Sequence, residues 1–164
     1  MLSKIPPDPL LLENVTVFAD LETALVYYQY RNIVSSVETR EVYQWVKHAL
    51  QTWFKEDDFR GAIFDFRDVT KFSFGNTAVA KEQSREVNEI SDLSIFPISL
   101  VVTNTKQDVQ VRMAMPGGDS SRKHVAYSTQ DALDFINEWN LQHDRNFDLS
   151  EELMNKWPSM KVNE

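Results

Sequence analysis

The chain has 164 residues, enough for one domain with a sizeable core, and its 42% hydrophobic content is that of a globular protein. A formal net charge of −8 opposes phosphate backbones and anionic membrane surfaces, and the basic run Arg122-Lys123-His124 is too short to reverse that, so no nucleic-acid partner is expected. The absence of cysteine excludes disulfides, thiolate metal sites and cysteine nucleophiles.

Residues 1–13 carry Pro6, Pro7 and Pro9 and read as an extended N-terminal arm, because proline fixes φ and removes a backbone donor. Leu10-Leu11-Leu12 falls short of the roughly 7–15-residue apolar core of a secretory signal. No window approaches the roughly 20 apolar residues of a membrane span, so a cytoplasmic location is the expectation. Val15–Phe18 and Ala24–Val34 are rich in Val and Tyr and predict two strands joined by a polar turn at Asp20–Thr23. In the second strand Val26, Tyr28 and Tyr30 alternate with Leu25 and Tyr27, which predicts that both faces are covered.

Ser35-Ser36-Val37-Glu38 has the Ser-x-x-Glu spacing of a capping box. Val42, Val46, Ala49, Leu50 and Trp53 then recur at helical spacing. Ala62–Phe66 predicts the next strand, followed by a polar loop and a helix capped by Asn76 or Thr77, with Val79, Val87 and Ile90 on its apolar side. Ile95–Thr103 is a strongly apolar strand with Pro97 near its start. Val109–Met115 alternates apolar and polar residues and reads equally as a strand or as a short helix ended by Pro116-Gly117-Gly118. Val125–Ser128 predicts a short strand, and Thr129 caps a helix that turns Ala132, Leu133, Ile136 and Trp139 to the core.

Strands alternating with helices, after an opening hairpin, predict an α/β fold: a single mixed β-sheet of about five strands packed with helices. The strands near 62–66 and 96–102 should pair in parallel across the helix between them. The domain spans 14–140, and residues 141–164 form a C-terminal helical appendage in which Asp148 and Glu151 can cap a short helix bearing Leu153, Met154 and Trp157.

The chemistry-bearing residues are sparse. His48, His124 and His143 lack the single-face spacing of a metal motif, so no metal is expected; His124 beside Lys123 can meet an anion. Asp65 and Asp68 flank the end of a predicted strand, where α/β enzymes place acids, but no base or second acid sits at a telling spacing. They read as partners of loop amides and turn residues. Neither Gly-x-Ser-x-Gly nor Gly-x-Gly-x-x-Gly occurs, so no enzymatic activity and no cofactor are expected. Pro116-Gly117-Gly118-Asp119-Ser120-Ser121 is a flexible turn before it is a phosphate cradle. Of Trp45, Trp53, Trp139 and Trp157, three lie at helical spacing and read as core or interface anchors.

The pieces YYQYRNIVSS, the Ser36–Phe54 helix, AIFDFRDVTKFSFGN, FPISLVVTN and HVAYSTQDALDFINEW together resemble the STAS superfamily, more closely its SpoIIAA-like branch, over about 70% of the chain. The resemblance implies a small sheet packed with helices, a regulatory or interaction role, and a binding surface near the strand–loop–helix junction. In anti-sigma-factor antagonists that junction carries Asp-Ser-Ser-Gly, with the second serine phosphorylated. Here the stretch falls on Ser73, Phe74, Gly75 and Asn76, so the switch position is Gly75, and Ser73 and Thr77 are the nearby phosphorylation candidates. The fold is also related to lipid-carrying SEC14-like domains.

Two functions follow as expectations. The first is a protein-interaction module that binds a protein partner, a second copy of the chain included, through Lys71, Ser73, Phe74, Gly75, Asn76 and Thr77. The second is a small carrier or sensor with a pocket for an apolar molecule or lipid beneath the first helix. An enclosed apolar pocket favours the second, and a flat surface with a protruding Phe favours the first.

Overall fold

The alternation along the Val- and Tyr-rich stretch is realised in a ten-residue strand at the centre of the sheet. The computed structural model describes residues 8–20, 25–52, 60–73, 75–91, 96–114 and 121–143. Along these the strands are β1 (Leu10–Leu11), β2 (Val15–Asp20), β3 (Leu25–Val34), β4 (Gly61–Phe72), β5 (Ile98–Val101) and β6 (Lys123–Ala126). The helices are α1 (Ser36–Thr52), α2 (Asn76–Ile90), α3 (Thr105–Ala114) and α4 (Thr129–Gln142). They build one mixed α/β sheet whose six strands lie side by side in chain order. β1, β2 and β3 are antiparallel neighbours, whereas β3, β4, β5 and β6 are parallel. The expected parallel pairing of the strands near 62–66 and 96–102 is thus observed, and the proline-rich arm supplies the added strand β1.

The two faces of the sheet carry separate cores. Val26, Tyr28 and Tyr30 of β3, Ala62 and Phe66 of β4 and Leu100 of β5 pack with Val42 and Ala49 of α1 and Val111 of α3. On the other face Leu25, Ile63, Val101 and Ala126 pack with Ala132, Leu133 and Ile136 of α4. The approach of α4 is close enough to require glycine at the start of β4. Gly61 has φ +157°, and a Cβ there would lie 3.1 Å from the Pro97 carbonyl oxygen and 3.2 Å from Ile136 Cγ2.

The helix termini correct several expectations. Ser35 caps α1 as its spacing predicts, with its hydroxyl accepting from the Glu38 amide at 3.2 Å. The Glu38 carboxylate does not close the box on the Ser35 amide. It accepts from the Asn14 amide at 3.0 Å and from Asn14 Nδ2 at 2.9 Å, tying α1 to the turn before β2. The cap of α2 is Gly75, at φ 81°, and not Asn76 or Thr77. The cap of α4 is Ser128, whose Oγ accepts from the Asp131 amide at 3.1 Å, and Thr129 is the first helical residue. Residues 105–114 form a helix, which settles the alternating stretch before Pro116.

β4 runs six residues past Phe66, the predicted strand end. β5 stops at Val101, opposite Asp65, so the remainder of β4 pairs with β3 alone. That pairing is irregular, with register shifts between Gln29 and Arg31 and between Asn32 and Ile33, and Asn32 adopts φ 58°. Gln107 of α3 compensates: its Nε2 donates to the carbonyls of Phe66 and Val69, while its Oε1 accepts from the Thr103 amide at 2.7 Å. Trp53, Phe74, the Pro116–Gly118 turn and the appendage helix lie outside the described residues.

Candidate functional site

The residues expected to form one exposed loop divide between surface and interior. Lys71 is an exposed residue of β4, and Gly75 and Thr77 are exposed around the start of α2. Asn76 is buried, and its Oδ1 accepts a 2.6 Å hydrogen bond from the Thr39 hydroxyl of α1. Phe72 packs against the aromatic core instead of protruding. The Ser73 hydroxyl is enclosed and makes no hydrogen bond among the described residues.

Asp65 is not an acid at a strand end; it lies in mid-strand, on the α4 face. Its Oδ1 accepts from the amide and Nε of Arg67 at 3.1 and 2.9 Å, and its Oδ2 accepts from the Tyr27 hydroxyl and Arg67 Nη2, both at 2.7 Å. Those bonds use the roughly four acceptor sites of a carboxylate. Burial alone pushes this carboxyl up, but the Arg67 and Tyr27 hydrogen bonds outweigh it and hold it below the usual range. The same charge, after burial, drives the Tyr27 hydroxyl far up. Asp68 is an exposed strand residue opposite Arg31. His124 is half-buried, stacked on Phe135 with its Nε2 3.1 Å from the Asp131 carboxylate. Among the described residues no group of His, Cys, Asp or Glu is placed to hold a metal ion.

What the structure brings together is an apolar pocket between the sheet and the α1–α2 pair, with a cavity volume of about 110 Å³. Its floor is aromatic. Tyr28 and Phe64, opposite each other on β3 and β4, stack with centroids 4.1 Å apart at 1°, and Tyr30 and Phe66 stack at 4.9 Å. Val42, Tyr43, Val46 and Leu50 of α1 and Ala80, Ser84 and Val87 of α2 form the roof. Thr39 and Asn76 mark the end at the carboxyl termini of the strands. Asn88, Arg122 and Lys123 mark the end at their amino termini.

The roof is closed at its outer surface by polar contacts. Lys47 of α1 reaches both Gln83 (2.9 Å) and Glu86 of α2, and Arg40 lies 4.0 Å from Glu82. Beneath them the phenols are desolvated. Tyr28 and Tyr30 are pushed far up by burial and then by facing Tyr43. Tyr43 is raised by burial, against the opposing effects of its Ser84 hydrogen bond and the Arg122 charge. All three therefore remain neutral hydroxyls at physiological pH.

Sequence reading anticipated a pocket under the first helix but not its walls. Alternation exposed Tyr28 and Tyr30 as a set. The contribution of α2 was partly hidden, because of the Val79–Val87–Ile90 stripe only Val87 is buried, and its companions are Asn76, Ala80 and Gln83. Ile90 is 39% exposed.

Among the described residues no helix is long and apolar enough to cross a membrane. No family model matches the chain, and no curated protein does. Among solved structures the chain is similar to an uncharacterized protein of the DUF3478 family, with a SpoIIAA-like fold, from Shewanella loihica PV-4, at 12% identity over 83% of this chain and 98% of that one, with a TM-score of 0.49.

Proposed function

We propose that the protein is a non-enzymatic binding module that holds a small apolar molecule between its sheet and the α1–α2 roof. The observation that carries this reading is the pocket itself. Native interiors are packed with few voids larger than a water, and a concave apolar space with a few polar groups along it is the usual form of a small-molecule site. A dry apolar cavity of about 150 Å³ takes the six carbons of benzene, so a space of about 110 Å³ takes roughly four to five heavy atoms. That is the size of a short-chain aliphatic compound or of part of a ring.

The test is isothermal titration calorimetry with butanol and with benzene, together with mass spectrometry of compounds released from the purified protein on denaturation. One saturable site is the expected result. No saturable heat with either compound and no released compound would overturn the reading.

A protein-interaction role is supported separately by the exposure of Lys71, Gly75 and Thr77 around the β4–α2 junction. Lys71→Glu with Thr77→Glu should weaken capture of such a partner without changing butanol binding. Unchanged capture would remove this surface from consideration.

A further inference from the structure

We propose that the ligand of this pocket is a small neutral molecule with a carbonyl oxygen, a short ketone, aldehyde or ester, which the Tyr28 and Tyr30 hydroxyls hold. The proposal rests on the small-molecule reading above and adds the polar atom that the ligand carries.

The first observation is that two buried phenols have no partner. Tyr28 and Tyr30 are 5% and 7% exposed, and both line the pocket. Their rings stack on Phe64 and Phe66, but neither hydroxyl makes a hydrogen bond to a described residue. Buried hydroxyls of native proteins are rarely left so, because each unmade bond costs the full desolvation of the group. Tyr27, on the opposite face of the same strand, shows the ordinary arrangement, with its hydroxyl donating to Asp65 at 2.7 Å.

The second observation is that the side-chain acceptors around these phenols are taken. Tyr28 and Tyr30 share the face of β3 that α1 covers, and strand side chains stand roughly perpendicular to the sheet, so both hydroxyls reach towards the roof. Asn76 Oδ1 accepts from Thr39, and Gln83 Oε1 accepts from Lys47. The Glu38 carboxylate, whose charge reaches Tyr30, accepts from Asn14 and Ser35. The Tyr43 hydroxyl is engaged with Ser84. Two phenol protons therefore lack an acceptor among the described residues, and one carbonyl oxygen, with two lone pairs, takes both.

The third observation sets the ligand's charge. Burial keeps Tyr28 and Tyr30 un-ionised, and the same desolvation falls on a carboxylate brought over their rings. A hydrocarbon leaves both hydroxyls unpaired, and an alcohol brings a further proton that needs an acceptor of its own. A neutral carbonyl compound avoids all three costs. A four-carbon ketone also matches the roughly four to five heavy atoms that about 110 Å³ takes.

NMR titration of the full chain with three compounds of one heavy-atom skeleton tests the assignment: butanone, 2-methyl-1-butene, which has CH₂ in place of the oxygen, and propanoate, which carries a charge. Butanone should bind at one saturable site, and propanoate should not bind. In Tyr28→Phe and in Tyr30→Phe the ratio of butanone to alkene affinity should fall about fivefold, the net worth of one hydrogen bond. The ¹³C carbonyl resonance of butanone bound to the wild type should lie near its position in water, and this readout stands should either variant fail to fold. A ratio that moves in neither variant, a carbonyl resonance at its position in hexane, or propanoate binding as tightly as butanone would overturn the carbonyl assignment while leaving the pocket reading standing. Binding of the alkene without butanone would do the same. Binding of none of the three would overturn both.

Discussion

Filling the pocket with a side chain should stabilise the empty protein and evict its ligand. Ala80 is buried on α2 and lines the pocket, so Ala80→Leu directs three more carbon atoms into the 110 Å³ space. At about 0.8 kcal/mol per buried methylene, the burial contributes about 2.4 kcal/mol. The cost is about 0.5–1 kcal/mol of lost leucine rotamer freedom, which leaves a gain of about 1.5 kcal/mol. For a domain of this length that corresponds to a rise in melting temperature of roughly 3–6 °C. Differential scanning calorimetry, paired with calorimetric titration of butanol, measures both consequences. Were the space already filled, the same substitution would overpack it and cost about 1–3 kcal/mol. A lowered melting temperature with butanol binding intact would therefore refute the pocket.

The remaining predictions concern what holds the sheet and the helices packed on it. The folded carboxyl of Asp65 lies below its ordinary value, so its ionised form contributes stability that is present above about pH 4 and is lost as pH falls through the folded value. Asp65→Asn should cost about 1–3 kcal/mol at neutral pH, and the gap to wild type should close on acidification; a gap independent of pH in urea melts would contradict the ion-pair account. Gln107→Leu strands the carbonyls of Phe66 and Val69 and the amide of Thr103, so about 2–4 kcal/mol of stability should disappear. Unchanged hydrogen exchange at Thr103 would show that the clamp is dispensable. Gly61→Ala brings a methyl against Pro97 and Ile136 and should cost about 1–3 kcal/mol, and a wild-type melting curve would show that α4 yields freely.

The sheet was legible wherever one residue period covered a whole element. In Leu25–Tyr30 the residues Val26, Tyr28 and Tyr30 are buried while Tyr27 and Gln29 between them are half-buried, so a period of two shows in the sequence, and Ser35 marks the turn into α1 by its own hydrogen bond. The end of β4 was not legible. Arg67, Asp68, Thr70 and Lys71 look like a loop because they are polar, and they can be polar because β5 has already ended and left that stretch exposed. The inner side of α2 was obscured for the opposite reason. Asn76 and Gln83 are buried with polar partners on α1, Thr39 and Lys47, which no hydrophobic period records. The Val109–Met115 alternation misled because Val109 and Met113 face solvent, 52% and 75% exposed, while Gln107 and Ala114 face inward. The pocket was the least readable feature of all. Ala49, Ala62, Ala80 and Ala114 surround it, and a sequence cannot distinguish an alanine in tight contact from one beside a void.

Strand order that follows chain order also governs how the molecule can be assembled. Each new strand adds to an edge already present, and none must be inserted between two paired neighbours. A chain emerging from synthesis can therefore extend its sheet from the arm towards the carboxyl terminus, with loop closure confined to one helical crossover at a time. The aromatic floor on β3 and β4 and the α1 roof are complete before Arg122 and Lys123 arrive on the last strand. In such an order the pocket is built first as a hydrophobic cleft and gains Arg122 and Lys123 only when the final edge closes.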